Sequence, residues 1–305
     1  MKIIGAGLSG LLAGALYPTA TIVERTEREG YQTHDALLRF RTDNVGKAVG
    51  IPFKKVRVYK ALWSGMCFNS PTPLLANAYS QKVTGSILPR SIWDLAAVDR
   101  YIAPPDFQAR LLDICASRIE WGVDFVPDPS EVTLSTIPLP KMLDKVEWPG
   151  GSAGRWPAFR YKGLTSAQFA IPECDAYQTI YYPDPDTSVY RASLTGNVLI
   201  VEAMGEGNAL PDSELDEVFV SFGIDRRTPQ LLSSTSRAFG KIAPVPDEAR
   251  KHLIHYLTRQ YNIYSAGRYA GWKNLLMDDL REDLGVIRQL IAAGDYGRTI
   301  HTARR

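Results

Sequence analysis

Residues 1–24 read MKIIGAGLSGLLAGALYPTATIVE, and this stretch decides the fold class. Lys2–Ile4 is a short, largely apolar run that is typical of a buried strand. Leu8–Leu16 is rich in leucine and alanine and is typical of a helix, whereas Thr21–Glu24 is β-branched and is typical of a second strand. The order predicts a strand–helix–strand unit at the start of the chain.

Glycines stand between the first strand and the helix at a spacing that has a chemical meaning. The pattern is G-x-G-x-x-G-x-x-x-G, formed by Gly5, Gly7, Gly10 and Gly14. In a dinucleotide-binding loop the first glycine permits a tight turn, the second lets a pyrophosphate approach the backbone, and the later ones let the helix pack closely on the sheet. The helix start, with the backbone N–H groups of Leu8 and Ser9, would then bind the phosphates.

An acidic residue ends the second strand. A carboxylate at Glu24 can accept hydrogen bonds from both hydroxyls of a ribose, which favours a nucleotide-binding loop over a purely structural glycine-rich turn. Glutamate rather than a nearby arginine as the ribose contact argues against a 2′-phosphate and hence against NADP. Arg25 follows directly as a further candidate cofactor contact. At this point NAD and FAD both remain open.

The closing segment favours FAD. Ile263–Asp279 reads IYSAGRYAGWKNLLMDD and resembles the FAD-binding superfamily that contains the flavin amine oxidases and UDP-galactopyranose mutase. The resemblance implies that Gly267 and Arg268 lie against the ribityl and phosphate part of FAD. It also implies that Met277 and Asp278, at a helix N-terminus, face the flavin pyrimidine, where a positive helix end stabilises negative charge on reduced flavin.

Other stretches resemble the same superfamily. Leu134–Pro138 is similar to the return strand that runs beside the adenosine half of FAD, and Phe239–Pro244 is similar to a segment near the flavin. Arg39 and Arg41 fall where the superfamily has an arginine near the pyrophosphate. Trp272 lies inside the closing segment and is therefore a candidate cofactor contact.

These patterns together predict an α/β fold, in which a Rossmann-like FAD-binding domain carries an inserted antiparallel β-sheet substrate domain. The insertion is indicated by successive strands with turn residues between them over Phe159–Val201. We expect a discontinuous FAD-binding domain formed by residues 1–60, 125–145 and 235–305, a helical insert at 61–124, and the substrate-binding sheet domain at 146–234.

Four residues are candidates for the reaction itself. Tyr182 and Arg191 lie on two strands of a predicted hairpin, where an arginine fork can bind a phosphate or carboxylate; the alternative is a half-buried strand with aromatic packing. Lys241 is a candidate because, by the same resemblance, a lysine hydrogen-bonds a water at flavin N5 in many amine oxidases. His34 is a candidate proton carrier, with an ordinary surface-loop histidine as the alternative.

The bulk composition excludes several classes of protein. A net charge of +2 gives no general attraction to nucleic acid or membrane, and no run of eighteen apolar residues is present. Three cysteines without a CxxC spacing argue against a disulfide framework or a zinc site. We therefore expect a cytoplasmic protein with no metal. The basic run Lys54–Arg57 would suit a DNA-borne substrate, with a solvated strand edge as the alternative.

Three functions fit these observations. The first is FAD-dependent oxidation of a carbon–nitrogen bond in an amine or amino-acid-like substrate, which includes a modified nucleobase on DNA. The second is a non-redox sugar mutase that uses reduced FAD, as UDP-galactopyranose mutase does. The third is a flavin-binding module without chemistry of its own. The sequence names neither the substrate nor the electron acceptor nor the oligomeric state.

Overall fold

The structure is a computed structural model that describes residues 1–32, 37–89, 91–148, 157–205 and 209–302, with the backbone alone at 91 and 295–302. Its strands are β1 (Lys2–Ile4), β2 (Thr21–Glu24), β3 (Arg39–Phe40), β4 (Lys54–Ser64), β5 (Cys67–Phe68), β6 (Val98–Ile102), β7 (Ile119–Trp121), β8 (Thr133–Ser135), β9 (Tyr161–Ala170), β10 (Ala176–Tyr181), β11 (Val189–Gly196), β12 (Val198–Met204), β13 (Gln230–Ile242) and β14 (Ile263–Ser265). Its helices are α1 (Leu8–Leu16), α2 (Asn44–Val49), α3 (Pro73–Thr84), α4 (Phe107–Cys115), α5 (Leu139–Leu143), α6 (Asp212–Ser221), α7 (Asp247–Tyr261) and α8 (Met277–Thr302). Within these described ranges, no helix has the length and apolar character needed to cross a membrane.

The chain divides into two compact units, each built from separate stretches. The first unit consists of Met1–Lys54, Tyr101–Ala158 and Val245–Arg305, and the second consists of Lys55–Arg100 and Phe159–Pro244. Residues 61–124 therefore do not form the separate helical insert expected from the sequence. Their first part belongs to the second unit because β4 is a sheet strand there, and residues 101–124 belong to the first unit.

The first unit is a parallel sheet with the strand order β14-β8-β1-β2-β7. The predicted strand–helix–strand opening is confirmed: β1 pairs in parallel with β2, with Ile3 opposite Ile22. Helix α1 packs on this sheet through Leu11 and Leu12, which are fully buried together with Cys115 of α4. Parallel pairing brings the carboxyl ends of β1 and β2 to one edge of the sheet, where ligands bind in this class of fold.

The second unit is a mixed sheet in which β13, β9, β12, β11 and β10 are antiparallel neighbours and β4 joins β10 in parallel. Each face of this sheet has its own apolar core. One core includes Phe169 and Val201 and is covered by Phe219 of α6. The other includes Tyr190 and is covered by Tyr79 of α3. Because strand side chains alternate between faces, these two cores fix which residues of β10–β12 can meet.

A half-buried lysine holds the connection between β10 and β11. The Lys82 ammonium donates to the carbonyl oxygens of Tyr182, Asp184 and Val189 at 3.1, 2.7 and 2.6 Å, and to Thr187 Oγ1 at 2.9 Å. Burial lowers the pKa of Lys82 to about 8, so the ammonium form still predominates at neutral pH and its three N–H donors are shared among these four oxygens. Lys82 thereby fixes the start of β11, two residues before Arg191.

Replacing this lysine tests the arrangement. Lys82→Met keeps most of the side-chain volume but leaves buried carbonyl oxygens without a donor. We expect the free energy of unfolding to fall by about 1–3 kcal/mol in a denaturant titration at neutral pH. The control is Lys162→Met, since Lys162 is exposed and donates one bond, to the Lys82 carbonyl. Equal stability of both variants and the unmodified chain would contradict the role assigned to Lys82.

Candidate functional site

Three glycines of the opening loop are required by the packing of the protein itself. Gly5 has a φ of +94°, a left-handed backbone that residues with side chains rarely adopt. A Cβ added at Gly10 would lie 1.8 Å from the carbonyl oxygen of Gly5, and one at Gly14 would lie 2.5 Å from Ile22 Cδ1. The turn after β1 and the close approach of α1 to β2 therefore both exclude side chains at these positions.

Gly7 differs from these three glycines. Its φ of −64° and ψ of 175° are ordinary extended backbone, and a Cβ added there would meet no heavy atom of the described chain within 4 Å. The internal packing of the protein therefore gives no reason for glycine at position 7. A ligand that approaches the backbone at this point would explain the glycine, because a side chain there would block it.

Gly7 also begins helix α1, whose first turn is arranged to receive an anion. No side chain caps this helix, and its first turn carries no acidic residue. The first N–H groups of an α-helix, here those of Leu8, Ser9 and Gly10, have no acceptor within the helix. Together with the positive end of the helix dipole, they form an anion-binding site.

The loop peptide at Ala6 is held on both sides. Its N–H donates to Glu24 Oε2 at 2.7 Å, and its carbonyl accepts from the Tyr31 hydroxyl at 2.6 Å. Tyr31 in turn accepts a bond from Gln108, and burial raises the pKa of Tyr31, so the hydroxyl stays protonated as a donor. Sequence reasoning missed both Tyr31 and Gln108, because neither belongs to the glycine motif. Arg25, next to Glu24, is exposed.

The closing segment approaches the glycine loop at Gly267. Gly267 has a φ of +87°, and a Cβ there would lie 3.0 Å from Ser9 Oγ. The guanidinium of Arg268 donates from Nε and Nη2 to the carbonyl oxygen of Leu275, at 3.1 and 3.0 Å. Arg268 thus closes the loop between residues 268 and 275 and keeps Gly267 in place.

The start of α8 is tied to the stretch after β3. Asp278, which is 7% exposed, accepts bonds from the backbone N–H groups of Arg41 and Thr42 and from the Thr42 hydroxyl. The guanidinium of Arg41 pairs with Asp279, whose hydrogen bond raises the pKa of Arg41. The Arg41 charge is therefore already matched by a carboxylate of the protein. The Asp278 carboxylate is likewise engaged, because it accepts hydrogen bonds from the backbone at Arg41 and Thr42.

The remaining first-unit candidates have distinct positions. Arg39 lies in β3, opposite Ile102 of β6, and is half-buried. Met277 packs against the core of the first unit. Trp272 is 2% exposed and is among the largest fully buried side chains. The expectation that the Trp272 ring contacts a cofactor is therefore wrong, because protein atoms already cover the indole.

In the second unit, the structure brings Arg191 and Lys241 into one polar cluster. Arg191 and Glu202 are directly opposite each other on β11 and β12, and their side chains form an ion pair. The Tyr190 hydroxyl donates to Glu202 Oε1 at 2.8 Å, and the Lys241 ammonium lies 4.7 Å from the centroid of the Tyr190 ring. Two cations and one carboxylate therefore lie together in this cluster.

The protonation states of this cluster follow from its contacts. Burial alone would raise the pKa of Glu202, but the charges of Arg191 and Lys241 outweigh it and hold the pKa below its usual value. Burial raises the pKa of Tyr190 well above its ordinary range. Near neutral pH Glu202 is therefore ionised and Tyr190 is a hydrogen-bond donor. The Arg191 side chain remains 37% exposed, which leaves room for a further contact.

Tyr182 does not join this cluster, contrary to expectation. Its hydroxyl lies 2.7 Å from Ser221 Oγ of α6, and the side chain is 3% exposed in the core on the other face of the sheet. Burial raises its pKa, which keeps the phenol neutral. Tyr181 is the residue that stands opposite Arg191 in the sheet, because neighbouring residues of a strand point to opposite faces.

The other sequence-based candidates are a loop residue and a charged run. His34, the candidate proton carrier, lies outside the described residues. In the basic run, Lys55 and Arg57 both pair with Asp99, at 2.9 and 3.0 Å. Both cations stand on β4 with exposed side chains, alternating with buried Val56 and Val58. This run is therefore an exposed and partly neutralised face of β4, which lies between β10 and β6 in the sheet.

No family model matches the sequence, and a search of curated proteins finds no relative. Solved structures match the fold. A reduced UDP-galactopyranose mutase matches with a TM-score of 0.61 at 12% identity, covering 89% of this chain and 90% of the mutase. A CLA-producing fatty acid isomerase from P. acnes matches with 0.58 at 12% identity over 94% and 97%. The PF1083 protein from Pyrococcus furiosus matches with 0.51 at 11% identity over 88% and 92%. These likenesses concern the fold, and they confirm the fold class that the resemblance implied.

The two inner glycines of the motif separate packing from ligand binding. Gly10→Ala places a Cβ against the Gly5 carbonyl and should destabilise the first unit by more than about 2 kcal/mol, as overpacking against rigid backbone does. Gly7→Ala meets open space at an allowed backbone conformation and should leave the unfolding free energy within about 0.5 kcal/mol. Thermal or denaturant unfolding of both variants without added ligand checks this. A large loss of stability in Gly7→Ala would show that the protein itself needs glycine there.

Proposed function

We propose that this chain is an FAD-dependent enzyme whose cofactor binds at the glycine loop of the first unit. The observation that carries the proposal is Gly7, a glycine at an ordinary backbone conformation with open space beside it. The uncapped start of α1 and the contact between Gly267 and Ser9 support the same site. FAD, when bound, supplies a two-electron acceptor for hydride.

The residues of the loop suit the parts of FAD by their chemistry. The backbone at Gly7 and the N–H groups of Leu8 and Ser9 would bind the pyrophosphate. Each oxygen of Glu24 already accepts one backbone N–H, from Ala6 or from Thr26, and a carboxylate oxygen can accept a second bond. Glu24 would therefore hold ribose hydroxyls while it keeps the loop in shape.

For the reaction, we propose oxidation of a carbon–nitrogen bond in an amine or amino-acid-like substrate. The Arg191 fork would bind a substrate carboxylate in a two-pronged contact, and Glu202 beside it would orient the substrate amine. Hydride leaves the carbon that bears the nitrogen, the nitrogen lone pair forms the imine, and water then hydrolyses the imine. The support is the pairing of one strong anion-binding group with one ionised carboxylate on adjacent strands.

A non-redox sugar mutase is the second candidate. It is favoured by the fold likeness to UDP-galactopyranose mutase, which extends over 90% of that protein. In this alternative, the Arg191 guanidinium and the neighbouring Tyr181 hydroxyl would bind a nucleotide diphosphate. The substrate would then be a nucleotide sugar rather than an amine.

The cofactor assignment predicts a selective effect of Gly7→Ala. The added methyl group occupies the space through which pyrophosphate reaches the backbone, so FAD affinity should fall by at least about tenfold, or about 1.4 kcal/mol. Fluorescence titration of the apoprotein with FAD measures it. The matched control is Gly285→Ala, an exposed helical position where an added Cβ also meets nothing within 4 Å in the described chain. FAD affinity unchanged in Gly7→Ala would place the cofactor elsewhere.

A pair of arginine variants separates substrate from cofactor contacts. Arg191→Lys keeps the charge but loses the fork, so it should raise KM with little change in flavin content. Arg268→Ala frees the Leu275 carbonyl and loosens the loop that carries Gly267, so it should lower flavin occupancy. Flavin absorbance and substrate titration of both variants check this. The opposite result, in which Arg191→Lys loses flavin and Arg268→Ala loses only substrate, would reverse the assignment.

Two assays on the purified, unmodified protein distinguish the two reactions. Anaerobic bleaching of the flavin by an amine or amino acid supports carbon–nitrogen oxidation. Turnover of a UDP-sugar only after reduction by dithionite supports the mutase. If no amine or amino acid of a test panel bleaches the flavin, and a UDP-sugar is turned over only after dithionite reduction, the proposal of carbon–nitrogen oxidation is overturned. The assignment of FAD to the glycine loop would then still stand.

A further inference from the structure

The first unit contains a cavity whose walls do not include the glycine loop. It has a volume of about 240 Å³ and lies between α7, β14, the loop after Gly267, and α8. Its walls include neither Glu24 nor any residue of the loop from Gly5 to Gly10. The cofactor proposal therefore leaves this cavity unexplained.

Three polar groups that line this cavity have no partner among the described residues. Ser265 Oγ is fully buried and makes no hydrogen bond there. Lys273 and Asp283 line the same cavity, and across the described chain neither forms a hydrogen bond or an ion pair through its side chain. Burial raises the pKa of Asp283, an effect that Lys273 only partly opposes. The buried Ser265 hydroxyl costs free energy unless a polar group satisfies it, whereas Lys273 is exposed to solvent and Asp283 is half-buried within reach of the Lys273 charge.

The fourth polar residue of the cavity is already satisfied and serves as its frame. The guanidinium of Arg250 donates to the carbonyl oxygen of Gly271 at 3.0 Å and pairs with Asp247. Its side chain is 12% exposed, and its charge is matched. Arg250 therefore fixes α7 against the loop and leaves Lys273 and Asp283 as the charges open to a ligand.

The rest of the wall is aliphatic. Ile254, Leu275, Val286 and Ile287 face the same space from α7, from the loop and from α8. Val286 is 55% exposed, so one side of the cavity opens to solvent. For scale, an apolar cavity of about 150 Å³ in another protein holds benzene. The cavity thus suits a molecule about the size of valine or leucine that carries both charges and a branched hydrocarbon.

We propose that this cavity binds a free aliphatic α-amino acid. Its ammonium pairs with Asp283, its carboxylate pairs with Lys273 and accepts from Ser265, and its side chain rests on the aliphatic wall. A simple anion would leave Asp283 unpaired, and a simple cation would leave Lys273 unpaired. A zwitterion pairs with both groups at once.

Occupancy of this cavity acts on the loop that borders it. Gly267 forms part of the cavity wall, and the position of its absent Cβ lies 3.0 Å from Ser9 Oγ of the glycine loop. A bound amino acid would brace the backbone between Gly267 and Leu275 from behind. The proposal does not depend on flavin chemistry, because the amino acid binds whether or not the reaction proposed above occurs.

Calorimetric titration of the full chain with leucine tests the proposal. We expect one leucine bound per chain in the millimolar range or tighter, and affinity at least about tenfold lower for isocaproate, which lacks the amine, and for isoamylamine, which lacks the carboxylate. Asp283→Asn and Lys273→Met should each weaken leucine binding at least about tenfold. Asp113→Asn and Lys141→Met, which make the same changes at exposed positions that do not line the cavity, should leave it unchanged.

A further variant separates this cavity from the cluster in the second unit. Leucine binding that survives in Arg191→Ala and is lost in Asp283→Asn belongs to the cavity. Binding lost in Arg191→Ala and retained in Asp283→Asn belongs to the proposed substrate site and overturns the inference. It is also overturned if leucine binds no more tightly than isocaproate, or if no leucine binds at millimolar concentration. Denaturant unfolding of each variant confirms that it is folded before titration.

Discussion

The close contact between Gly10 and the carbonyl oxygen of Gly5 is the constraint on which the first unit depends. An added Cβ would lie 1.8 Å from that oxygen, so the chain can turn from β1 into α1 only with glycine there. The turn places the start of α1 at the carboxyl edge of the parallel sheet. The Glu24 carboxylate and the Tyr31 hydroxyl then fix the intervening peptide at Ala6. A rigid backbone surface with free N–H groups results, and it suits a pyrophosphate.

The two units contribute different chemistry. The first offers backbone donors and a helix dipole, which bind an anion without any charged side chain in the loop. The second offers side chains: Arg191, Glu202 and Lys241 stand together on a sheet whose turn is held by the half-buried Lys82. Backbone donors suit a cofactor that stays bound, and a partly exposed ion pair suits a substrate that exchanges. This division is the physical basis of the proposed function.

The opening and the start of the closing helix were predictable because each carries a local signal. The β1–α1–β2 unit has glycines at a fixed spacing and an acidic residue at its end, and α8 begins at Met277, as the resemblance implied. The faces of the second-unit strands were not predictable. Tyr181 and Tyr182 have the same side chain, so composition does not show which of them points to which core. In addition, the register of the β11–β12 pairing shifts between Val189 and Arg191, so strict alternation of side chains along β11 does not predict their faces. The thirteen residues of β13 were missed as a strand because most are exposed and show no alternation of burial.

Contacts between residues that are distant in sequence could not be predicted either. Arg41 was expected near a pyrophosphate, but its partner Asp279 is distant in sequence and only the fold brings the two together.

The most direct test of the central claim is the visible absorption spectrum of the chain after incubation with FAD and removal of free cofactor. The account predicts flavin bands at about one FAD per chain. A colourless protein that retains its fold would contradict it.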